Sequence, residues 1–309
     1  MSITLNIRSR ITLQDGNSMP LFGLGVWAAQ SGRETYNTTL YALKTGYRHI
    51  DTAEMYGNEK DVGNAVIDSG LNRDEIFVTT KLWDSGLGYD HALKAFDASL
   101  KKMNLEYVDL YLIHWPKKGS QLDIWRALER IKKEGRSHSI GVSNFAPKHL
   151  KELLAKGNER PVVNQIEISP FLQQKTISSF CRTENIHLTG YCPLARGKRF
   201  DDPRLCRIAK GMKKTAAQVM IRWALQSGHT VIPKSVRPER IKENSNVFDF
   251  NLRKEQMKIL DGLEQGLRFC PDPLEIPKNY DVINDSWTVS HEGLILHSQR
   301  PSEKNLTFL

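Results

Sequence analysis

The sequence predicts a (β/α)8 TIM barrel with an N-terminal β-hairpin and a C-terminal extension. Eight short apolar runs recur along the chain, segments with helical spacing separate them, and a length of 309 residues suits one large barrel. No internal repeat of roughly 20–50 residues and no low-complexity linker divides the chain. We therefore expect a single domain over residues 1–309, with a barrel core at about 21–265.

The elements are predicted in order from the N-terminus. Asp15 and Gly16 are a turn signal preceded by the alternating residues Ile11 and Leu13, so we expect an opening hairpin. Apolar spacing predicts helices over 89–103 and 121–134 between strands, and an added helix over 253–265. Residues 277–309 match no pattern and are unassigned. The eight predicted strands are residues 21–25, 47–51, 76–80, 108–114, 139–143, 162–166, 187–191 and 230–232.

Composition excludes several classes of protein. Charged residues make up 26% of the chain and aromatic residues 8%, as in an ordinary globular protein, and no apolar run reaches the roughly 18 residues of a membrane helix. Residues 1–14 contain arginine and no acid, like a transit peptide, but their alternating apolar pattern favours strands. We expect no structural zinc and a reducing, cytoplasmic location, because no C-x-x-C spacing joins the four cysteines, Cys181, Cys192, Cys206 and Cys270.

Positive charge is concentrated in one stretch of the chain. The protein has 44 Lys and Arg against 35 Asp and Glu, a net charge of +9, and residues 196–214 hold eight of the cations and two acids. This stretch is either an anion site or a solvated helix face. Nucleic acid is not an expected partner, since no aromatic interleaving or nucleic-acid motif accompanies the charge, so a small phosphorylated ligand is the better functional interpretation.

Four chemically active side chains follow three successive predicted strands. Asp51 ends the second strand with Tyr56 five residues later, Lys81 ends the third and His114 ends the fourth. Because the carboxyl ends of barrel strands form one face, we expect these four side chains to meet there. Each residue also has a purely structural interpretation. Asp51 could cap the next helix, Tyr56 could be a packed ring, Lys81 could form an ion pair with Asp51, and His114 could be a buried histidine. Together they form an acid–base group.

This group suits the reduction of a carbonyl. A carbonyl that accepts a hydride becomes an alkoxide and needs a proton donor, and tyrosine, with a pKa of about 10, is a weak one. We expect Lys81 to lower the pKa of Tyr56, Asp51 to hold Lys81, and His114 to orient the carbonyl oxygen. With Tyr56 and His114, three tryptophans that follow strands would wall a substrate pocket, although core packing is the alternative: Trp27, Trp83 and Trp115.

The motifs at these positions resemble those of the aldo-keto reductase family from Ile11 to Pro273. The resemblance implies that Asp51, Tyr56, Lys81 and His114 are the catalytic tetrad of an NADPH-dependent reductase of aldehydes and ketones. The motifs are, in order, GLGVW at 23–27, YRHIDTA at 47–53, TKLW at 80–83, GVSNF at 141–145, NQIE at 164–167, YCPL at 191–194, AQV at 217–219 and IPKS at 232–235.

The resemblance also implies the cofactor, NADPH, extended across the barrel mouth. A Rossmann fingerprint is absent, because Gly23 and Gly25 lack a third glycine three positions on. The implied contacts with the nicotinamide and pyrophosphate are made by Trp27, Asp51, Ser143, Asn144, Gln165, Tyr191, Cys192, Leu194, Ala195 and Arg196. Those with the adenosine and its 2′-phosphate are made by Lys234, Ser235, Val236, Arg240, Glu243 and Asn244. Cations around that phosphate favour NADPH over NADH.

The loop after the fourth strand indicates a branch of the family. Only residues 117–121 separate the HWP motif at 114–116 from the next helix. The chain in this respect resembles the short-loop branch of the family, which includes diketogluconate and glyoxal reductases and protist prostaglandin F synthases. Cys192 stands where many members have serine. The physiological substrate, beyond a small-molecule carbonyl, does not follow from the sequence. The family's tendency implies a monomer.

Two other classes of function remain open. One is an NADPH-binding regulatory or structural subunit with little turnover, against which the complete tetrad argues. The other is a metal-dependent hydrolase using His49, Asp51, Glu54 and His114. Lys81 would repel a metal there, so no metal is expected.

Overall fold

The computed structural model describes residues 5–83, 88–117 and 119–274, together with the backbone of two short strands at 287–289 and 295–297. The chain opens with the predicted hairpin, in which β1 (Arg10–Thr12) pairs antiparallel with β2 (Ser18–Pro20). Leu13 and Met19 of this hairpin pack against Phe77 and Leu110, so the hairpin closes the amino-terminal end of the barrel.

Eight parallel strands form the barrel, as predicted. They are β3 (Leu24–Gly25), β4 (His49–Asp51), β5 (Phe77–Leu82), β6 (Val108–Ile113), β7 (Ser137–Ser143), β8 (Val163–Glu167), β9 (His187–Tyr191) and β10 (Thr230–Val231). The backbone N–H of Gly23 donates to Val231 O at 2.9 Å and that of Val231 donates to Leu21 O at 3.0 Å, which closes the sheet. Strand β7 begins earlier than predicted, because the polar residue Ser137 is buried and pairs with Val108 of β6.

Ten helices are seen in the described part of the chain. They are α1 (Arg33–Lys44), α2 (Glu59–Asp68), α3 (Tyr89–Met103), α4 (Gln121–Lys133), α5 (Pro147–Lys156), α6 (Lys175–Thr183), α7 (Pro203–Met212), α8 (Ala216–Gln226), α9 (Pro238–Ser245) and α10 (Lys254–Asp261). Helices α3 and α4 match the predicted spans, and α10 is shorter than predicted. In the tail, β11 (Trp287–Val289) pairs antiparallel with β12 (Ile295–His297). The rest of the unassigned segment 277–309 lies outside the described residues.

Alternation along the strands places polar groups in the barrel interior. On β5 the side chains of Phe77, Thr79 and Lys81 share one face, because successive residues of a strand point to opposite sides. Phe77 meets the hairpin at the bottom, Thr79 bonds His49 in the middle at 3.0 Å, and Lys81 lies at the carboxyl end. The interior is therefore apolar at the bottom and charged at the top.

Gly63 on α2 marks a close approach between two outer helices. A Cβ built on Gly63 would lie 1.9 Å from the carbonyl oxygen of Met103, the last residue of α3. Backbone atoms cannot move aside like a flexible side chain. Glycine is therefore required here by the neighbouring backbone and not by its own conformation.

Gly63→Ala should lower stability although alanine is the better helix former. Overpacking of this kind costs about 1–3 kcal/mol, more than the gain of about 1 kcal/mol in helix propensity. The matched control is Gly211→Ala on α7, where nothing lies within 4 Å of the added Cβ, so stability should stay equal or rise. Urea unfolding of both variants measures the difference, and equal midpoints would contradict the close approach.

Candidate active site

A cavity of about 400 Å³ opens at the carboxyl ends of the barrel strands. Three of the four predicted tetrad residues line it, namely Asp51, Tyr56 and His114. Lys81 lies beneath them and is fully buried. Other lining residues come from the loops after several strands and from the segment after α10. They include Trp27, Met55, Trp83, Trp115, Ser143, Asn144, Gln165, Tyr191, Cys192, Leu194, Arg196, Phe200, Ile232, Lys234, Arg240, Phe269, Cys270 and Pro271.

An ion pair at the floor of the cavity joins two of the predicted residues. Lys81 Nζ donates to Asp51 Oδ1 at 2.5 Å, with side-chain exposures of 0% and 3%. Lys81 Nζ also donates to Thr52 O at 2.9 Å, and Gln165 Nε2 donates to Asp51 Oδ2 at 2.6 Å. Because both carboxylate oxygens and the ammonium are bonded, the pair is held in one geometry.

Tyr56 approaches this pair from the loop after β4. Lys81 Nζ lies 3.5 Å from Tyr56 Oη. Residues 54–56 form a single 3-10 turn, which ends at Gly57 with a φ of 68°, a conformation that glycine adopts without strain. The next residue, Asn58, is fully buried and donates to Val26 O at 3.0 Å while accepting from Thr52 Oγ1 at 2.8 Å. These bonds tie the Tyr56 turn to the loop after β3.

The expected lowering of the Tyr56 pKa is wrong for this structure. Burial, and next the charge of Asp51, raise the pKa of Tyr56 well above the usual value of tyrosine. Asp51 offsets the positive field of Lys81, because the carboxylate lies against the ammonium. The phenol is therefore fully protonated near neutral pH, and burial lowers the pKa of Lys81 while Asp51 opposes that shift.

His114 is neutral in this setting. Burial, followed by the Lys81 charge, lowers its pKa well below the ordinary value of histidine. The imidazole meets the Tyr56 ring edge to face, with centroids 5.7 Å apart, and the Trp83 ring at 5.3 Å. A neutral imidazole can donate one hydrogen bond without bringing a second positive charge to the cavity.

The three predicted tryptophans all lie in the cavity wall. The backbone N–H of Trp83 donates to Glu54 Oε2 at 2.9 Å, which fixes the start of its loop. The guanidinium carbon of Arg196 stands 4.7 Å from the centre of the Trp27 ring. Trp115 is nearly buried, so its alternative role in the core is partly correct.

Polar side chains at the ends of β7, β8 and β9 are bonded to one another. Asn144 Nδ2 donates to His114 O at 3.0 Å and to Ser143 Oγ at 3.1 Å, and Tyr191 Oη donates to Asn144 Oδ1 at 2.7 Å. Ser143 Oγ donates to Gln165 O at 2.8 Å. Asn144 thereby links three strand ends beside His114.

Only some of the residues predicted to contact the adenosine and 2′-phosphate of the cofactor line the cavity. Lys234 and Arg240 line it, and Lys234 Nζ donates to Ala28 O at 3.2 Å. Ser235 is buried and its Oγ accepts from the backbone N–H of Arg237 at 3.2 Å. Four other residues predicted to contact the cofactor do not line the cavity either. They are Val236, which is half-buried, Ala195 and Asn244, which are buried, and Glu243, which accepts a hydrogen bond from Thr215.

Strained backbone borders the cavity. Asn144, Cys192 and Arg196 have φ values of 62°, 48° and 48°, which L-residues with side chains rarely adopt. Such conformations persist only where surrounding contacts impose them, and they collect at functional sites. The strain therefore marks the same edge of the barrel as the charged groups.

Sequence reasoning missed several residues of this site. Asn58 ties the turn that carries Tyr56 to the loop after β3. A segment beyond the last helix forms part of the cavity wall through Phe269, Cys270 and Pro271. A buried asparagine in a loop and an aperiodic segment give no pattern that predicts such a role.

The metal-hydrolase alternative finds no support in the geometry. Within the described ranges, no group of three or more His, Cys, Asp or Glu side chains could hold a metal ion. His49 is directed to Thr79, one layer below Asp51.

No helix in the part of the chain that the structure describes is long and apolar enough to cross a membrane.

Comparison with known proteins identifies the class to which this fold and site belong. The model of the aldo/keto reductase family matches residues 21–265, and the chain belongs to this family. It is 47% identical to the 9,11-endoperoxide prostaglandin H2 reductase of Trypanosoma cruzi, over 85% of this chain and 94% of that protein. It is 44% identical to the glyoxal reductase of Bacillus subtilis, over 88% and 98% respectively.

A solved structure extends the comparison to the cofactor. A substituted form of Gox0644 in complex with NADPH is 41% identical, with a TM-score of 0.83 over 87% of this chain and 99% of that one. The family and the branch expected from the sequence are thus confirmed. The expected cofactor is the one bound in that relative.

Removing Lys81 alone should destabilise the fold more than removing the whole ion pair. Lys81→Met leaves the Asp51 carboxylate buried without its cation, which costs about 3–5 kcal/mol. The double variant Lys81→Met/Asp51→Asn carries no orphaned charge and should recover part of that loss. The free energy of unfolding in urea at neutral pH measures both. A double variant that loses as much as the sum of the two single variants would show that the pair is not coupled.

Proposed function

We propose that the protein reduces aldehydes and ketones to alcohols with NADPH, and that Tyr56 donates the proton. One observation carries the proposal: Tyr56 Oη lies 3.5 Å from an ammonium that is itself bonded to a buried carboxylate, at the floor of a cavity beside a neutral histidine. In enzyme classes this is an oxidoreductase acting on CH–OH groups with NADP as acceptor.

The side chains around the cavity fit a nicotinamide cofactor. Gln165 uses its Nε2 on Asp51, which leaves Oε1 as its acceptor for a carboxamide N–H, and Asn144 Oδ1 has a second lone pair beyond the one used by Tyr191. The Tyr191 ring offers a face in the cavity wall. The cations Lys234 and Arg240 lie in the same wall and suit a phosphate. When bound, NADPH supplies the hydride.

The tetrad residues then divide the remaining work. Tyr56 holds its proton in the ground state because burial raises its pKa, so the phenol is present in the donor form at neutral pH. A substrate oxygen that becomes an alkoxide is a far stronger base than a phenolate, so the proton passes to it from Tyr56 Oη. Lys81 Nζ stabilises the phenolate that forms, and Asp51 holds Lys81 in place.

His114 orients the substrate oxygen. As a neutral ring in van der Waals contact with Tyr56 and Trp83, it can donate a hydrogen bond to the carbonyl that Tyr56 will protonate. The wall of Trp27, Trp83 and Trp115 excludes water from this oxygen. The names of the prostaglandin H2 reductase and the glyoxal reductase support a small dicarbonyl or a larger apolar compound as the substrate of this protein.

The monomeric state, the cytoplasmic location and the single domain over 1–309 stay predictions.

A regulatory subunit that binds NADPH without turnover is the alternative function. The two are separated by one measurement, the oxidation of NADPH by purified protein across a panel of aldehydes and 2-oxoaldehydes. Turnover that stays at the rate without substrate for every carbonyl would favour the regulatory alternative.

Tyr56→Phe should abolish most turnover while the protein still folds and binds NADPH. Loss of a general acid costs on the order of 10²–10⁴ in rate. Steady-state reduction and NADPH titration by fluorescence measure the two properties separately. Tyr107→Phe is the matched control, since Tyr107 stacks on His138 at the opposite end of β6. Near wild-type turnover in Tyr56→Phe would show that the proton comes from elsewhere.

Arg240→Ala should weaken binding of NADPH and leave NADH nearly unaffected. A charge-assisted bond to the 2′-phosphate is worth about 1.5–3 kcal/mol, or roughly ten- to hundred-fold in affinity. Lys242→Ala is the matched control, because Lys242 is an exposed cation on the same helix that does not line the cavity. Equal losses for both cofactors in Arg240→Ala would contradict the 2′-phosphate role.

A further inference from the structure

A second cavity lies at the amino-terminal end of the barrel. Its volume is about 180 Å³, which is room for several waters or one small ion. The hairpin, helix α6, the start of β9 and the turns before β9 and β10 line it. His187, the first residue of β9, lines this cavity, whereas Tyr191, the last residue of the strand, lines the active-site cavity. The two cavities are therefore at opposite ends of one strand.

The hairpin forms one side of this second cavity and is bonded to the barrel. Gln14 Nε2 donates to Pro161 O, in the residues before β8, at 2.8 Å. Asn17 Nδ2 donates to His138 O on β7 at 2.9 Å. Because the hairpin is held to two neighbouring strands, its side of the cavity is a fixed wall.

Three basic side chains line the second cavity from three different elements. Arg182 lies on α6, His187 begins β9, and His229 precedes β10. The backbone N–H of His229 donates to Ala224 O at 3.1 Å, which turns the chain from α8 towards β10 and places the imidazole in the cavity wall. A ligand in this cavity therefore meets basic groups from three sides.

Both imidazoles have unused hydrogen-bonding capacity. His187 Nε2 shares a hydrogen bond with Thr230 Oγ1 at 2.9 Å, and its Nδ1 has no hydrogen-bond partner in the described part of the chain. The ring of His229 is only 9% exposed, and among the same residues no hydrogen bond reaches it. A buried polar ring without a partner is costly, so a ligand that bonds to it is favoured.

The second cavity has positive charge without a matching acid. No Asp or Glu of the described ranges is in the lining, and no ion pair with Arg182 is seen there. Glu184 is close to Arg182 on the chain, but its carboxylate accepts from Arg160 at 2.6 Å. The hairpin residues of the lining, 11–14, carry no titratable group. A guanidinium beside unused ring nitrogens is an environment that binds anions.

We propose that this second cavity binds a small tetrahedral oxyanion, a sulfate or phosphate, either as the free ion or as the end group of a phosphate ester. Its oxygens accept hydrogen bonds from the Arg182 guanidinium and from ring N–H groups of His187 and His229. A carboxylate offers two oxygens in one plane, whereas a tetrahedral anion offers acceptors to donors on three sides. The site does not rest on the proposed reductase function.

The charge of the anion links binding to pH. Burial, followed by the charge of a basic neighbour, lowers the pKa of His187 and of His229 to about 4, so both rings are neutral near pH 7. The basic neighbour is His229 for His187 and Arg182 for His229. A bound anion raises the pKa of an adjacent imidazole, so one ring takes up a proton on binding. Two positive charges then face the dianion.

This proton uptake fixes the sign of the pH dependence. Between the pKa of the ring in the complex and its value of about 4 in the free protein, only the complex holds the extra proton. Affinity for the anion therefore rises as the pH falls through that interval, by at most about tenfold per pH unit for one proton.

The experiment follows the histidine C–H resonances of the full-length protein by NMR during titration with sodium sulfate, whose charge is constant over the pH range used. Sodium chloride keeps the ionic strength constant. The resonances lost in His187→Gln and in His229→Gln assign the two rings. We expect saturable shifts confined to these two of the nine histidines. The dissociation constant should be roughly tenfold lower at about pH 5.5 than at about pH 8.

Two variants test the charge of the cavity. Arg182→Ala removes a charge-assisted bond and should weaken sulfate binding on the order of ten- to hundred-fold. Lys175→Ala is the matched control, because Lys175 is an exposed cation on the same helix that does not line the cavity. It should bind sulfate like the unsubstituted protein.

Two further ligands separate the sources of the anion. Inorganic phosphate and glycerol phosphate are compared in the same titration. Tighter binding of glycerol phosphate assigns the site to a phosphate ester, and equal or weaker binding assigns it to the free ion.

Three outcomes would overturn the proposal. Shifts that grow linearly with sulfate, or that appear equally at histidines outside the cavity, would show a general ion effect and no site. Equal losses in Arg182→Ala and Lys175→Ala would show that the charge of the cavity is not used. Equal affinity at the two pH values would show that neither imidazole binds the anion.

Discussion

The buried ion pair of Lys81 and Asp51 is the interaction on which the site depends. Two charges at 0% and 3% exposure are tolerated because every polar atom of the pair is bonded: the ammonium to Asp51 and Thr52, the carboxylate to Lys81 and Gln165. Burial of a lone charge would cost several kcal/mol. Strands β4, β5 and β8 must therefore keep their register, since a slip by one residue would turn these side chains out of the barrel.

The same pair sets the protonation of its neighbours. Asp51 offsets the field of Lys81 at Tyr56, so burial dominates and the phenol keeps its proton, while the Lys81 charge and burial together keep His114 neutral. In the proposed reduction of a neutral carbonyl, the protonated phenol is the proton donor and the uncharged imidazole is the hydrogen-bond donor. In the proposed reaction, the acid strength of Tyr56 becomes important only when an alkoxide forms beside it.

The second constraint is the anchor of the segment after α10. Glu167 reaches from the barrel to the backbone of Phe269 and Cys270, and Arg196 bridges the Phe269 carbonyl and the Trp27 ring. A piece of chain beyond the barrel is thereby made part of the cavity wall. The burial that raises the pKa of Glu167 well above its usual value is offset in part by these N–H donors.

The sequence by itself determined the barrel, the hairpin and the positions of the tetrad along the chain. Strand alternation places Asp51 and Lys81 at the same end of neighbouring strands, and that information is local. The tertiary structure decided what depends on distant neighbours: the burial of Ser137 in β7, the raised pKa of Tyr56 and the hydrogen bonds of Glu167 to the backbone of Phe269 and Cys270. Desolvation and long-range contact arise only when separate segments close around a side chain, so no spacing in the sequence predicts them.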